Sequence, residues 1–105
     1  MSAVLIALSS PVDADREDPF LKWYLEVHAP EIRAAIPEIT TFSQVRLTRP
    51  DGSTPRYLAR YEAPTLDAAT LAQRLGAASE SLTMSEHMTV EGEDAPQLHF
   101  GEVVA

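Results

Sequence analysis

The chain contains no cysteine. That excludes disulfides, thiolate zinc sites and cysteine nucleophiles together, leaves packing to hold the fold, and suits a reducing, cytoplasmic setting. Basic residues are scarce: 8 Lys and Arg stand against 16 Asp and Glu, for a formal net charge of -8. Such a chain repels phosphate-rich partners, so nucleic acid and anionic membrane surfaces are not expected to bind it. Long hydrophobic runs are missing as well. The longest, Ala3 to Leu8, falls far short of the ~20 residues of a membrane span, and no Lys or Arg precedes it as a secretion signal requires. What is present is 105 residues, 45 % of them hydrophobic, with no internal repeat, low-complexity tract or long linker. This is the profile of one compact domain over residues 1–105 with a core of its own.

Ala3 to Leu8, closed by Ser9-Ser10-Pro11, is short and apolar on both faces and reads as a first strand. Asp18-Pro19 then supplies an N-cap and a proline at the first helical position. Phe20, Trp23, Tyr24, Val27 and His28 follow at i, i+3, i+4, i+7 and i+8, one stripe of a 3.6-residue period, with Lys22 and Glu26 on the opposite side. Pro30 biases Ala29 against helical torsions, so the helix is expected to end or kink near His28, with a second short turn over Glu31 to Ile36 closed by Pro37.

Glu38 to Arg49 alternates as a second strand, with Ile39, Thr41, Ser43, Val45 and Leu47 on one face and Thr40, Phe42, Gln44, Arg46 and Thr48 on the other. Pro50-Asp51-Gly52-Ser53 is turn chemistry, and Arg56 to Glu62 resumes a β pattern, giving an antiparallel hairpin. Thr65 or Asp67 can cap a second helix whose apolar positions Ala68, Leu71, Ala72 and Leu75 repeat at three and four, ending near Gly76 or the alanines beyond it. Ser79 to Asp94 has no clean period beyond a short turn around Leu82 to Met88, and Gln97 to Val104 reads as a last strand.

The order β-α-β-β-α-β is the split βαβ, ferredoxin-like α+β arrangement: a four-stranded antiparallel sheet with both helices on one face. Two helices cover only one face, yet the first strand is apolar on both, and Phe42 and Leu58 are placed on the second face beside Arg46 and Arg60. Burying apolar surface is worth ~25 cal/mol per Å2, so a second copy of the chain is the simplest cover, and a homodimer through the open sheet face is expected.

The segment Asp18-Pro19-Phe20-Leu21-Lys22-Trp23-Tyr24-Leu25-Glu26-Val27-His28-Ala29-Pro30-Glu31 resembles the D-x-F-x-x-W-Y-x-x-x-H-x-P-E pattern of EthD-like proteins in the dimeric α/β barrel superfamily. The likeness includes the strand before it, the entry Ile36-Pro37-Glu38-Ile39 and the later Arg56-Tyr57-Leu58-Ala59, roughly the first two thirds of the chain. Many relatives have Pro-Gly where this chain has Pro37-Glu38. The resemblance implies a dimeric α/β barrel and a family range of polyketide cyclases, lactone isomerases, dehydratases, metal-free monooxygenases, haem-degrading enzymes and members without known activity. Fold does not choose among these.

His28 is the leading catalytic candidate, because an imidazole both takes and returns a proton near neutral pH. A histidine in a last helical turn equally complements the free carbonyls and the negative dipole end. Tyr24, one turn earlier, can donate to an oxyanion or simply pack. Trp23 and Phe42 are candidate binding-site walls as well as core rings. Gln44 is the strand residue expected to line the cavity, and Arg46, like Arg60, can fork onto a carboxylate or enolate or lie at the surface. Tyr57 and Tyr61 share one face and are read first as packing. Met84 and Met88 can line a flexible mouth or fill gaps.

His87 and His99 are too far apart for a local metal motif, and Glu91, Glu93 and Asp94 lack calcium-loop spacing, so neither a metal nor an organic cofactor is expected. The haem-ligating pattern of haem-degrading relatives does not map onto this chain. Two functions follow. In the first, an enzyme without cofactor moves protons on an aromatic or polyketide-like carbonyl compound, as a cyclase, isomerase or lyase, with His28 as general base. In the second, the same barrel is a binding or assembly module without turnover.

Overall fold

The computed structural model describes residues 2–105. Strand β1 (Ser2–Ser9) is followed by a single 3-10 turn (Ala14–Arg16) and then by helix over residues 17–35: α1 (Glu17–Trp23), a π-helical stretch (Tyr24–His28) and α2 (Ala29–Ala35). The hairpin β2 (Thr41–Leu47) and β3 (Arg56–Ala63), the helix α3 (Ala68–Ala78) and β4 (Gln97–Val103) complete it. The sheet order is β2-β3-β1-β4, antiparallel throughout, as the ferredoxin-like reading requires.

The helix start differs from expectation. Asp13, not Asp18, is the capping carboxylate: it accepts from the Arg16 amide of the 3-10 turn, and helix is under way by Glu17. Between Thr65 and Asp67 it is Asp67 that caps α3, accepting from the Thr70 amide at 2.8 Å. Pro30 does not end the first helix. Its ring clashes with the carbonyl four residues back in regular α geometry, and the π-helical stretch immediately before it widens the turn: the Ala29 amide donates to the Tyr24 carbonyl, five residues away.

On β1, Ala3, Leu5, Ala7 and Ser9 are buried toward the helices, while Val4, Ile6 and Leu8 are half-buried on the other face. The hairpin register corrects one placement made from sequence. Phe42, Gln44 and Arg46 lie opposite Tyr61, Ala59 and Tyr57, whose buried side chains define the helix-covered face, whereas Leu58 and Arg60 lie opposite Val45 and Ser43 on the open face. Phe42 and Arg46 therefore do not share a face with Leu58 and Arg60, because the pleat reverses with each residue and the pairing sets which positions coincide. The open face is an apolar strip of Val4, Ile6, Leu8, Leu58 and Val45 beside the Arg60–Glu62 ion pair at 3.1 Å.

Residues 82–96 form an irregular strap after a 3-10 turn at Ser79–Ser81; within it the expected short turn lies at Ser85 to Met88, where the Met88 amide donates to the Ser85 carbonyl. The strap is tied down by backbone pairing of Pro11 with Met88, by the Thr89 amide on the Ser10 carbonyl, and by Arg56 on the Asp94 and Ala95 carbonyls. Among the described residues no helix is long and apolar enough to cross a membrane.

Candidate functional site

A cavity of about 250 Å3 opens on the helix-covered side of β1 and β4. Its floor is Leu5, Ala7, Ser9 and Leu98, its helical walls carry Tyr24, His28, Ile32 and Leu75, and the strap roofs it with Leu82, Met84, Met88 and Pro96. No Asp, Glu, Lys or Arg lines it, so charge inside is neither supplied nor compensated.

The π-helical stretch brings Trp23 and His28 together at the cavity. Residues five apart on an α-helix point ~140° away from each other, whereas the i to i+5 bonding of a π turn brings them into one row. Trp23 and His28 are thereby stacked, ring centroids 4.6 Å apart, and Tyr24 meets the same imidazole edge-on at 4.9 Å. The His28 Nδ1 is buried and has no hydrogen-bond partner. Burial pushes the imidazole below its ordinary range, and Glu31 one turn later opposes that shift without cancelling it.

The Tyr24 hydroxyl accepts from the Tyr61 hydroxyl at 2.9 Å. A hydroxyl that accepts keeps its own proton to donate. Desolvation pushes the Tyr24 phenol up to about 12 and raises Tyr61 further, so both remain protonated at neutral pH. Trp23 is buried, and its indole Nε1 donates to the Thr83 carbonyl at 3.0 Å. Glu31 holds the same residue, accepting from the Thr83 amide and hydroxyl at 2.8 Å each, and these bonds pull its carboxyl below the usual range. The ring that backs His28 thus also fastens the roof of the cavity.

The other expected site residues lie elsewhere. Arg46 is half-exposed and forks onto Glu17, which also accepts from the Tyr57 hydroxyl; Arg46 leads the causes that lower the Glu17 carboxyl. It therefore ties β2 to the start of α1 and does not line the cavity. Phe42 stacks on Tyr24 at 6.5 Å and lies tilted against Tyr61 at 5.0 Å, a support for the wall and not part of the lining. Gln44 faces the helices on the same strand, outside the cavity, with both amide atoms buried and unpartnered. Of the six residues picked from sequence, Tyr24 and His28 meet at the cavity with Trp23 directly behind, while Phe42, Gln44 and Arg46 form a separate row on β2.

Ser9 joins Tyr24 and His28 with no motif in the sequence to mark it. It is 4 % exposed and lines the cavity, and its hydroxyl has no hydrogen-bond partner. Its place as the last residue of the inward alternation Ala3, Leu5, Ala7, Ser9 was the one available signal. Among the described residues no three His, Asp or Glu side chains converge as a metal site. Asp94 in the acidic loop is paired with Arg49 at 2.7 Å.

No family model matches the sequence and no curated protein matches it. Solved structures do. An EthD family protein from Bacillus halodurans superposes with a TM-score of 0.67 at 26 % identity, covering 99 % of this chain and 100 % of that one. A dimeric ferredoxin-like protein from an uncultured marine organism gives 0.58 at 13 % identity over 99 % and 96 %. An EthD-like protein from Ralstonia eutropha gives 0.58 at 12 % identity over 100 % and 95 %. The EthD-like resemblance, read over roughly the first two thirds of the sequence, is thus met over 99 % of the chain by the Bacillus halodurans structure, and the ferredoxin-like α+β fold by all three.

Proposed function

We propose that the protein binds a small carbonyl compound in the cavity between sheet and helices and moves a proton on it, as a cyclase, isomerase or lyase does, with His28 as general base. The observation that carries this reading is the imidazole in an apolar wall, its Nδ1 buried without a partner and its basicity set by desolvation so that it is unprotonated at neutral pH. Neutral His28 takes a proton from the carbon beside the carbonyl, and the electron pair moves onto the oxygen. Tyr24, protonated and with a proton free to donate, steadies that oxygen. Return of the proton to the same or a neighbouring carbon restores the imidazole. Trp23, stacked on the ring, positions it, and the apolar walls strengthen each of these interactions by excluding water.

The open sheet face we assign to a second copy of the chain. The strip of Val4, Ile6, Leu8, Leu58 and Val45 supports this, Val45 being 47 % exposed in the single chain, and the marine ferredoxin-like relative is described as dimeric.

The test is solvent deuterium exchange at the carbon next to the carbonyl, followed by NMR over a panel of aryl methyl ketones and cyclic diketones. The protein is expected to accelerate exchange of at least one member, and His28→Gln is expected to return it to the buffer rate while keeping the melting temperature and the sedimenting dimer. Binding without any acceleration would make the domain a ligand-binding module, and an unfolded His28→Gln would make the histidine structural. A monomer at micromolar concentration would remove the assignment of the open face.

A further inference from the structure

The hydroxyls around the cavity are accounted for with one exception. Ser10 accepts from Arg56 at 3.0 Å, Thr89 donates to the Pro11 carbonyl at 3.0 Å, Ser79 donates to the Gly76 carbonyl at 2.9 Å, and Thr83 donates to Glu31 at 2.8 Å. Ser9 alone, more deeply buried than any of the last three, leaves its oxygen without a partner on the cavity floor. A buried polar group left unpaired costs ~1–3 kcal/mol, so a hydroxyl is a poor choice here for packing alone. Alanine already fills the two positions Ala3 and Ala7 on the same row.

We infer that Ser9 is the specificity residue of this cavity: its hydroxyl donates to the single oxygen of an uncharged, one-ring-sized carbonyl compound whose remaining surface is apolar. The inference rests on the proposed proton-transfer site and narrows its substrate class. Size sets the first limit. A cavity of 150 Å3 holds a benzene ring, so about 250 Å3 takes roughly ten non-hydrogen atoms and excludes fused systems of three or more rings. Charge sets the second. Arg46 is bound to Glu17 and no arginine or lysine lines the cavity, so a buried carboxylate would have no counter-ion. Polar count sets the third. Apart from the histidine and the tyrosine that act on the substrate, Ser9 is the one unpartnered donor in the wall, enough to orient one oxygen and no more.

The probes are acetophenone, ethylbenzene as the same shape without the oxygen, and benzoate as the same ring with a charge. The chain has a single tryptophan, and Trp23 stacked behind His28 reports binding by its fluorescence. Wild type is expected to bind acetophenone several-fold and up to roughly tenfold more tightly than ethylbenzene, the worth of one net hydrogen bond, and to bind benzoate far more weakly than either. Ser9→Ala is expected to reduce the preference for the ketone by weakening acetophenone alone, with the Tyr24 phenol still in place to donate to the oxygen. It should also raise the melting temperature of the free protein, since it removes an unpaired buried hydroxyl. Ser10→Ala, which cuts the tie to Arg56 instead, should leave the preference intact. If Ser9→Ala leaves the preference at its wild-type size, or benzoate binds as well as acetophenone, the role of Ser9 is overturned while the cavity stands. If ketone binding survives in all variants but deuterium exchange is absent, the catalytic reading fails and the specificity inference does not. If neither acetophenone nor ethylbenzene binds, both fall.

Discussion

The helices cover a whole face of the sheet, yet they meet it differently over its two halves. Over β2 and β3, Phe42, Tyr57 and Tyr61 interlock with Phe20 and Tyr24 at ring separations from 5.0 to 6.5 Å, and the hydroxyls of Tyr57 and Tyr61 are bonded to Glu17 and Tyr24. Over β1 and β4 the inward positions include Ala7 and Ser9, and the space they leave is the cavity under the strap. The filled half fixes the helix to the sheet, and the fixed helix holds Tyr24 and His28 over the hollow half. Rigidity in one half is what lets the other remain hollow, since a void forfeits dispersion contacts that must be made elsewhere.

The sharpest way to break this contrast is to truncate one large side chain in each half. Phe20→Ala, at a fully buried position among three aromatic rings, is expected to cost about 3–5 kcal/mol, while Leu75→Ala on the cavity wall should fall near the lower end of the ~2–5 kcal/mol range because its surroundings already border empty space. Urea denaturation midpoints measure both; equal losses would mean that the hollow half is packed in solution. Enlargement is the converse and has the next largest effect. Ala59→Leu, buried between Gln44 and Ala7 in the sheet, should cost ~1–3 kcal/mol by overpacking, whereas Ala7→Leu grows into the cavity and should change stability by less than ~1 kcal/mol while blocking acetophenone.

The smallest expected effect is in pH. Burial lowers the folded-state pKa of His28 beneath 6.5, so the unfolded chain binds more protons between those two values and stability rises with pH through that window. The denaturation midpoint should therefore fall as pH drops below about 6.5, ahead of the carboxylate titrations. His28→Gln should flatten that part of the profile; an identical slope in the variant would mean that the imidazole is as well solvated folded as unfolded.

Much of the framework was readable from local pattern. The strand at Ala3 to Leu8, the aromatic stripe from Phe20 to His28, the hairpin around Asp51-Gly52 and the cap at Asp67 each depend on residues within a turn or two of one another. The motif between Asp18 and Glu31 also placed Tyr24 and His28 side by side. Near His28 the helix changes its winding without ending, the π stretch closing there before α2 begins at Ala29, and a π turn that accommodates proline is invisible to a 3.6-residue period. Phe42 and Arg46 were set on the wrong side because alternation gives two faces to each strand without saying which face of the neighbour each one joins. Ser9 passed unnoticed since a serine at a strand end looks like punctuation until its hydroxyl proves buried and unpartnered.

The sequence by itself determined the order of elements, the acidic surface and the identity of the imidazole and phenol that meet on one helix, because these follow from composition and from neighbours along the chain. Only the tertiary structure decided that Arg46 is bound to Glu17, that Trp23 holds the strap through Thr83, and that a hollow with Ser9 on its floor lies beneath His28. An empty volume is what remains when side chains from five separate segments meet, so no one stretch of sequence encodes it.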